Sequence, residues 1–361
     1  MEKQLPLQQV VEKQLPLQQV MEKQLPLQQV MEKQLPQQQA MEKQIQPLTL
    51  LRIEDGISEN AIEILRRLQA GLVVGRALEI TSPDDCPEGI TNFIMVDRQN
   101  LLKTTFEEIG DLQNNLYTLE VQFYESALDY GGPRREFFML VLREIKEKYF
   151  DPGFNDVLGN DYYKVGLILG LSILQNGKIA QFISDDVIKQ VFDSSHVTTS
   201  PCFLKLREGF KDVGIYQICQ ELPVFLDLFH RGYETLTFKR FTTLFKPQFS
   251  EDGSNARRFE GEVYSPFLQY LREAASGRRG NITLGHVLGF STGTDEEPVL
   301  GFALQPSIKF VEVPNSYIPT ANTCINCLKI PRPSFQRPLP SKEFLFNLYD
   351  HAFANSYFGL V

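Results

Sequence analysis

Residues 1–50 repeat a ten-residue unit, and a proline in every copy limits what that stretch can become. MEKQLPLQQV at 1–10 returns at 11–20 with Val11 in place of Met, at 21–30 unchanged, and at 31–40 as MEKQLPQQQA. A decayed copy, MEKQIQPLTL, closes at Leu50. Pro6, Pro16, Pro26, Pro36 and Pro47 each remove a backbone N–H and crowd the preceding turn, so a continuous helix breaks in every repeat. Glutamine-rich sequence with no aromatic residue buries too little apolar surface to offset the entropy of ordering. Residues 1–49 are therefore expected to be a disordered, low-complexity spacer, the alternative being an oligomerising or partner-binding repeat. Each copy carries one Glu and one Lys, so the net charge of −9 belongs to the rest of the chain.

That remainder reads as globular. The chain has 361 residues, and at about 150 residues per domain this suggests two domains. Hydrophobic residues make up 42% and charged residues 22%, ordinary values that exclude a wholly disordered chain, a collagen or a coiled-coil rod. The acidic balance argues against a nucleic-acid partner. Five cysteines are scattered along the chain, and Met1-Glu2-Lys3-Gln4 leads into no apolar signal sequence. The expectation is a reducing, intracellular setting, cytoplasmic and/or nuclear, with thiols rather than disulfides. The longest apolar run, Val165 to Leu174, is broken by Gly166, Gly170 and Ser172. It falls short of the roughly 20 residues that cross a bilayer, so no membrane partner is expected.

Periodicity places the elements. Ser58 is positioned to cap a helix with Ile62, Leu65 and Leu68 as its apolar stripe and Gly71 at its end. Leu119-Glu-Val121-Gln-Phe123 alternates as a strand does. Gly131-Gly132-Pro133 turns the chain into a helix whose stripe is Phe137, Leu140, Val141 and Ile145. Tyr162–Asn176, apolar on nearly every side, predicts a buried helix stopped at Gly177. A strand is expected at Ile308–Val313, and a last helix from Ser341 with Phe344, Leu345 and Leu348 inward. The small and basic residues of Ala274–Gly280 predict a linker between two lobes.

Cys324 and Cys327 form a Cys-x-x-Cys pair. A zinc half-site would need a second ligand pair, and Cys202, Cys219, His286 and His351 stand isolated. A redox pair usually opens a helix, whereas Ile325, Leu328 and Ile330 favour an extended strand. A single nucleophilic thiol at Cys324, flanked by Thr323 and Asn326, is a third reading. A buried, inert Cys is a fourth. No phosphate-binding Gly-x-x-x-x-Gly-Lys loop occurs, and no cofactor or metal is expected. Arg135 and Glu136, at the start of a helix, read as a structural salt bridge or cap.

Thr320-Ala-Asn-Thr-Cys324-Ile-Asn-Cys-Leu328-Lys-Ile-Pro331 resembles the active-site loop of HECT-type ubiquitin ligases, in which a Thr-Cys-x-Asn core precedes Leu-x-x-Pro. Val121-Gln-Phe123-Tyr-Glu125 and Asp129-Tyr-Gly131-Gly132-Pro-Arg134-Arg135-Glu136-Phe137-Phe138 resemble that family's opening signature. Phe290-Ser-Thr-Gly293 with Leu300-Gly-Phe302 resembles the start of its C-terminal lobe, and the ending Phe358-Gly-Leu-Val361 has its aromatic fourth from the terminus. The resemblance covers about 92–361.

It implies an α+β, bilobal domain behind the disordered repeat. A helical lead-in occupies 50–91, a larger, mostly helical N-lobe 92–276, a hinge 277–280, and a small α/β C-lobe with the catalytic Cys 281–361. It further implies a ubiquitin-protein transferase. Cys324 would accept ubiquitin from a conjugating enzyme as a thioester, then pass it to a substrate lysine. Thr323 and Asn326 would either donate to the developing oxyanion or hold the loop's own backbone, and Phe358 would position the second transfer. Partners would be ubiquitin, the conjugating enzyme and protein substrates. Two departures stand out. Asn322 occupies the family's usual His position, and the insertion expected between Ile183 and Leu206, where the conjugating enzyme docks, is much shortened. The alternative is thus an inactive module, derived from a HECT ligase, that binds ubiquitin or a partner.

Overall fold

The computed structural model describes residues 60–354 except 113, 125–130, 176, 194, 196–197, 231–235 and 313–314. The repeat, Ser58 and Phe358 lie outside the described residues. Helix α1 (Ala61–Leu72) opens the described chain, capped by Asn60, whose side chain accepts from the N–H groups of Ile62 and Glu63 at 3.1 and 3.0 Å. The cap thus falls two residues beyond Ser58, and Gly71 lies inside the helix. Its buried face is Ile64, Leu65, Leu68 and Leu72, with Ile62 only half-buried. Strands β1 (Asn92–Val96) and β2 (Leu119–Phe123) pair in parallel, Asn92 opposite Leu119, with α2 (Leu101–Gly110) connecting them. The β2 bounds and its alternating burial match the sequence pattern.

Helices α3 (Gly132–Ile145), α4 (Asp161–Leu174), α5 (Asp185–Phe192), α6 (Pro201–Lys211) and α7 (Ile215–Glu221) complete the first unit. In α3, Phe137, Val141 and Ile145 are buried, and Leu140 is half-buried. Helix α4 is buried from Val165 through Leu174, which explains why its sequence shows no polar face. Together these elements enclose one hydrophobic core that runs from Ala61 to Phe229.

A second core forms from α8 (Phe238–Leu244), α9 (Asn255–Ala275), α10 (Leu284–Thr292) and α11 (Lys342–Ala354), packed on a four-stranded sheet. That sheet joins β3 (Lys246–Gln248), β4 (Ser307–Glu312), β5 (Thr320–Asn322) and β6 (Cys327–Arg332) in the order β3-β4-β6-β5. Only the β5–β6 pair is antiparallel. Phe267, Tyr270, Phe346, Tyr349 and Phe353 pack against one another in this core, edge to face, tilted and, for Phe346 on Tyr349, stacked, with ring centroids 5.2–6.4 Å apart.

Two expectations are corrected here. The stretch 277–280 does not separate the lobes: it is a surface turn between α9 and α10, both of which build the second core. Arg279 is tied there to Asp350 of α11 and to Glu273 of α9. The passage between cores falls between Phe229 and Leu236, so α8, α9 and β3, expected in the first lobe, belong to the second. In α11, Leu345 is buried as expected, but Phe344 is 55% exposed and Leu348 half-buried; Phe346 and Tyr349 face inward instead. The mixed helix and strand architecture is α+β.

Candidate functional site: a cysteine turn clamped by the other core

Strands β5 and β6 form a hairpin, with Thr320, Ala321 and Asn322 opposite Lys329, Leu328 and Cys327. Residues 323–326 make the turn, so Cys324 sits at its tip rather than in the extended strand its neighbours suggest. Asn322 Oδ1 accepts from the N–H of Cys324 at 3.1 Å and of Ile325 at 3.4 Å, an Asx turn that bends the chain back. Asn326 closes it with a left-handed backbone, φ 51°, which asparagine tolerates better than most residues. Its N–H donates to Thr323 O at 3.4 Å. The Cys324 side chain is half-buried and Cys327 buried.

The first core grips this turn. Arg135, in the first turn of α3, is 2% exposed, and its guanidinium crosses to the second core. Nη2 donates to Thr323 O at 2.7 Å and to Asn326 Oδ1 at 2.8 Å, and Nε donates to Thr292 O at 2.8 Å. Nη1 meets Glu79 Oε2 at 2.5 Å, which neutralises the buried cation. The Asn326 amide nitrogen donates to Leu304 O at 2.8 Å. The Asn326 side chain thus bridges Leu304 and Arg135, both outside its own turn.

Close packing accompanies the polar clamp. A β-carbon at Gly132 would lie 2.9 Å from the carbonyl carbon of Thr323 and collide with its hydroxyl. One at Gly293 would lie 2.6 Å from Gly132 O. The glycines let α3 approach the turn backbone to backbone. Arg98 donates from Nε and Nη2 to the two Glu136 carboxylate oxygens at 3.0 and 3.1 Å and covers the Phe123 ring at 3.8 Å. Burial holds the Glu136 carboxyl above the ordinary range, against the opposing pull of Arg98.

Elsewhere along the junction Lys178 reaches Asp295 at 2.7 Å and Glu296 at 3.6 Å. They border a cleft of 1110 Å³ lined by Met139, Arg143, Arg240 and His286 among others. Neither Cys324 nor its turn lines that cleft. The His286 ring accepts from Thr283 N–H at its own helix start, 3.2 Å away. Two other cysteines, Cys202 and Cys219, are poor nucleophiles. Burial and Asp156 push the Cys202 thiol up to about 11, and burial pushes Cys219 well above its usual value. Among the described residues no His, Cys, Asp and Glu side chains gather as a metal site. No helix there is long and apolar enough to cross a membrane.

Sequence reasoning saw Arg135 and Glu136 only as a local pair. Their partners, Glu79 and Arg98, and the turn that Arg135 holds are distant in sequence. The double glycine before them was the available signal, since it marks a close approach.

Fold and site together define a two-core α+β protein in which one thiol-bearing turn is built by both cores. Residues 204–342, which include this turn, match a family model described as HECT-domain (ubiquitin-transferase). The human probable E3 ubiquitin-protein ligase HERC4 is 23% identical over 74% of this chain and 33% of its own length. The G2/M phase-specific E3 ubiquitin-protein ligase of Gallus gallus is 29% identical over 35% of this chain and 16% of its own. The human E3 ubiquitin-protein ligase HECW2 is 41% identical over 20% of this chain and 5% of its own. The chain spans a third of the length of HERC4 and less of the other two. Residues 204–342 are thus similar to the HECT-type ubiquitin-transferase domain.

Proposed function

We propose that this protein is a HECT-type ubiquitin-protein transferase that carries ubiquitin as a thioester on Cys324. The observation that supports this reading best is the turn itself. It presents a half-buried thiol at a hairpin tip, with its backbone fixed by Arg135 from the opposite core. The Cys324 thiolate attacks the thioester carbonyl that joins ubiquitin to a conjugating enzyme. The new C–S bond forms as the enzyme's thiolate leaves. A substrate lysine amine then attacks the same carbonyl, expels the Cys324 thiolate, and leaves ubiquitin in an isopeptide bond. A thiol serves both steps because its thiolate is a good nucleophile and a good leaving group. Preorganising the turn fixes the sulfur before substrate arrives.

The test is incubation with ubiquitin, its activating enzyme and a panel of conjugating enzymes, read on non-reducing gels. A thiol-sensitive ubiquitin adduct is expected, absent in Cys324→Ala and kept in Cys327→Ala. A second reading, a non-catalytic module that binds ubiquitin or a partner, draws on one observation. Between Ile183 and Pro201 the described residues hold one helix, the eight-residue α5. Absence of an adduct with every conjugating enzyme, alongside measurable ubiquitin binding, would favour that module.

A further inference from the structure

The cysteine that follows the turn has no part in the transfer chemistry, yet it sits where a partner for Cys324 would. Cys327 begins β6, lies between Ser307 of β4 and Asn322 of β5 in register, and is 1% exposed. Cys324 stands two residues past Asn322, the cross-strand neighbour of Cys327. The Asx turn at Asn322 and the left-handed Asn326 double the chain back between the two thiols. The four-residue loop 323–326 sets Asn322 and Cys327 opposite each other, so Cys324 lies inside the reversal, three residues from Cys327, and a disulfide needs a Cα separation of about 4.4–6.8 Å. One cysteine is half-buried and the other is shielded from reagents in solution. That asymmetry suits an attacking site beside a resolving one.

We propose that Cys324 and Cys327 form a reversible disulfide when the protein meets a hydroperoxide, and that this bond switches the turn off. The Cys324 thiolate attacks the peroxide's terminal oxygen. The O–O bond breaks, the alkoxide or hydroxide leaves, and the sulfur becomes a sulfenic acid. The Cys327 sulfur then attacks that sulfur, the S–S bond forms as the S–O bond breaks, and water departs with the thiol proton. Two thiols lose two electrons in all, and the peroxide gains them. A small dithiol or a reductase of that class reverses the bond by exchange. The disulfide rests on the turn's geometry, and only its effect on transfer rests on the proposed function.

Trypsin releases both cysteines in one peptide, residues 310–329, with no Lys or Arg inside it. The full chain is treated with hydrogen peroxide, blocked with a maleimide and digested. The expected product is this peptide lacking two hydrogens and carrying no maleimide, restored to two labelled thiols by dithiothreitol. In Cys327→Ser the expected product carries two added oxygens on Cys324, which dithiothreitol does not remove. Wild-type peptide with Cys324 over-oxidised or labelled, and no internal bond, overturns the proposal without any variant. The ubiquitin adduct is scored in parallel. In wild-type protein treated with peroxide beforehand it is expected to be absent, and to return when the protein is reduced with dithiothreitol and freed of it before ubiquitin is added; in Cys327→Ser it is expected not to return. A disulfide with no adduct in reduced protein sinks the transfer reading but leaves the switch standing. An adduct with no disulfide does the reverse.

Discussion

Arg135 does at one position what several residues often share: it cancels the charge of Glu79, seats the Thr323 carbonyl and fixes the Asn326 amide. Its removal leaves Glu79 with Arg134 at 3.3 Å and strips the turn of its clamp. Arg135→Ala is expected to lower unfolding free energy by about 3 kcal/mol, the scale for breaking a buried ion pair. Arg135→Lys keeps the charge but not the planar fork. Urea titration should therefore show stability partly recovered in the Lys variant, while ubiquitin-adduct formation stays slow. Equal recovery of both would show that the charge alone matters. At this scale the sequence marked Cys324, Thr323 and Asn326 through their motif, and the structure gathers them in one turn. It could not mark Glu79, because a salt bridge between positions 56 apart leaves no local spacing to read.

Elements with strong local signals were legible, and those shaped by tertiary packing were not. Strand β2 alternates cleanly and was placed to the residue, whereas β1 escaped because Phe93, at 50% exposure, breaks the apolar pattern that Ile94 and Val96 begin. Helix α11 was found, but its inward face was misassigned, since Phe344, Phe346 and Tyr349 present nearly equal aromatic bulk on different sides. The loop after α10 carries a pH dependence of its own. Burial holds the Glu296 carboxyl above the ordinary range, with Lys178 pulling it down. The folded chain therefore keeps that proton to higher pH than the unfolded chain, where the carboxyl titrates near pH ~4.3. Its stability contribution is whole below that value and is lost as pH rises through the folded one. Glu296→Gln lacks this loss, and Lys178 retains Asp295 at 2.7 Å. Urea midpoints taken from about pH 4 to about pH 7 should show the variant gaining on the wild type; a constant gap would refute the burial argument.

For the whole molecule, the position of the core boundary decides which fragments can stand alone. The small and basic residues at 277–280 look like a linker in sequence because glycine marks tight turns as well as flexible joints. Only the packing of α9 against α10 and α11 tells them apart. A fragment from residue 281 would lack Phe267, Tyr270 and Leu271, all essentially fully buried in the second core. Removing one such aromatic from a core costs about 3–5 kcal/mol. A fragment starting at Leu236 is expected to give dispersed amide spectra and a cooperative melt, and the 281–361 fragment neither. A cooperative melt from the shorter piece would restore the boundary at 277–280.

The reactive turn hangs from one core and is clasped by the other. The speed at which a small electrophile captures Cys324 thus becomes a clock for how often the two halves part company. A visitor bound in the cleft beside Lys178 and Asp295, outside the turn itself, would announce itself by quickening or slowing that capture.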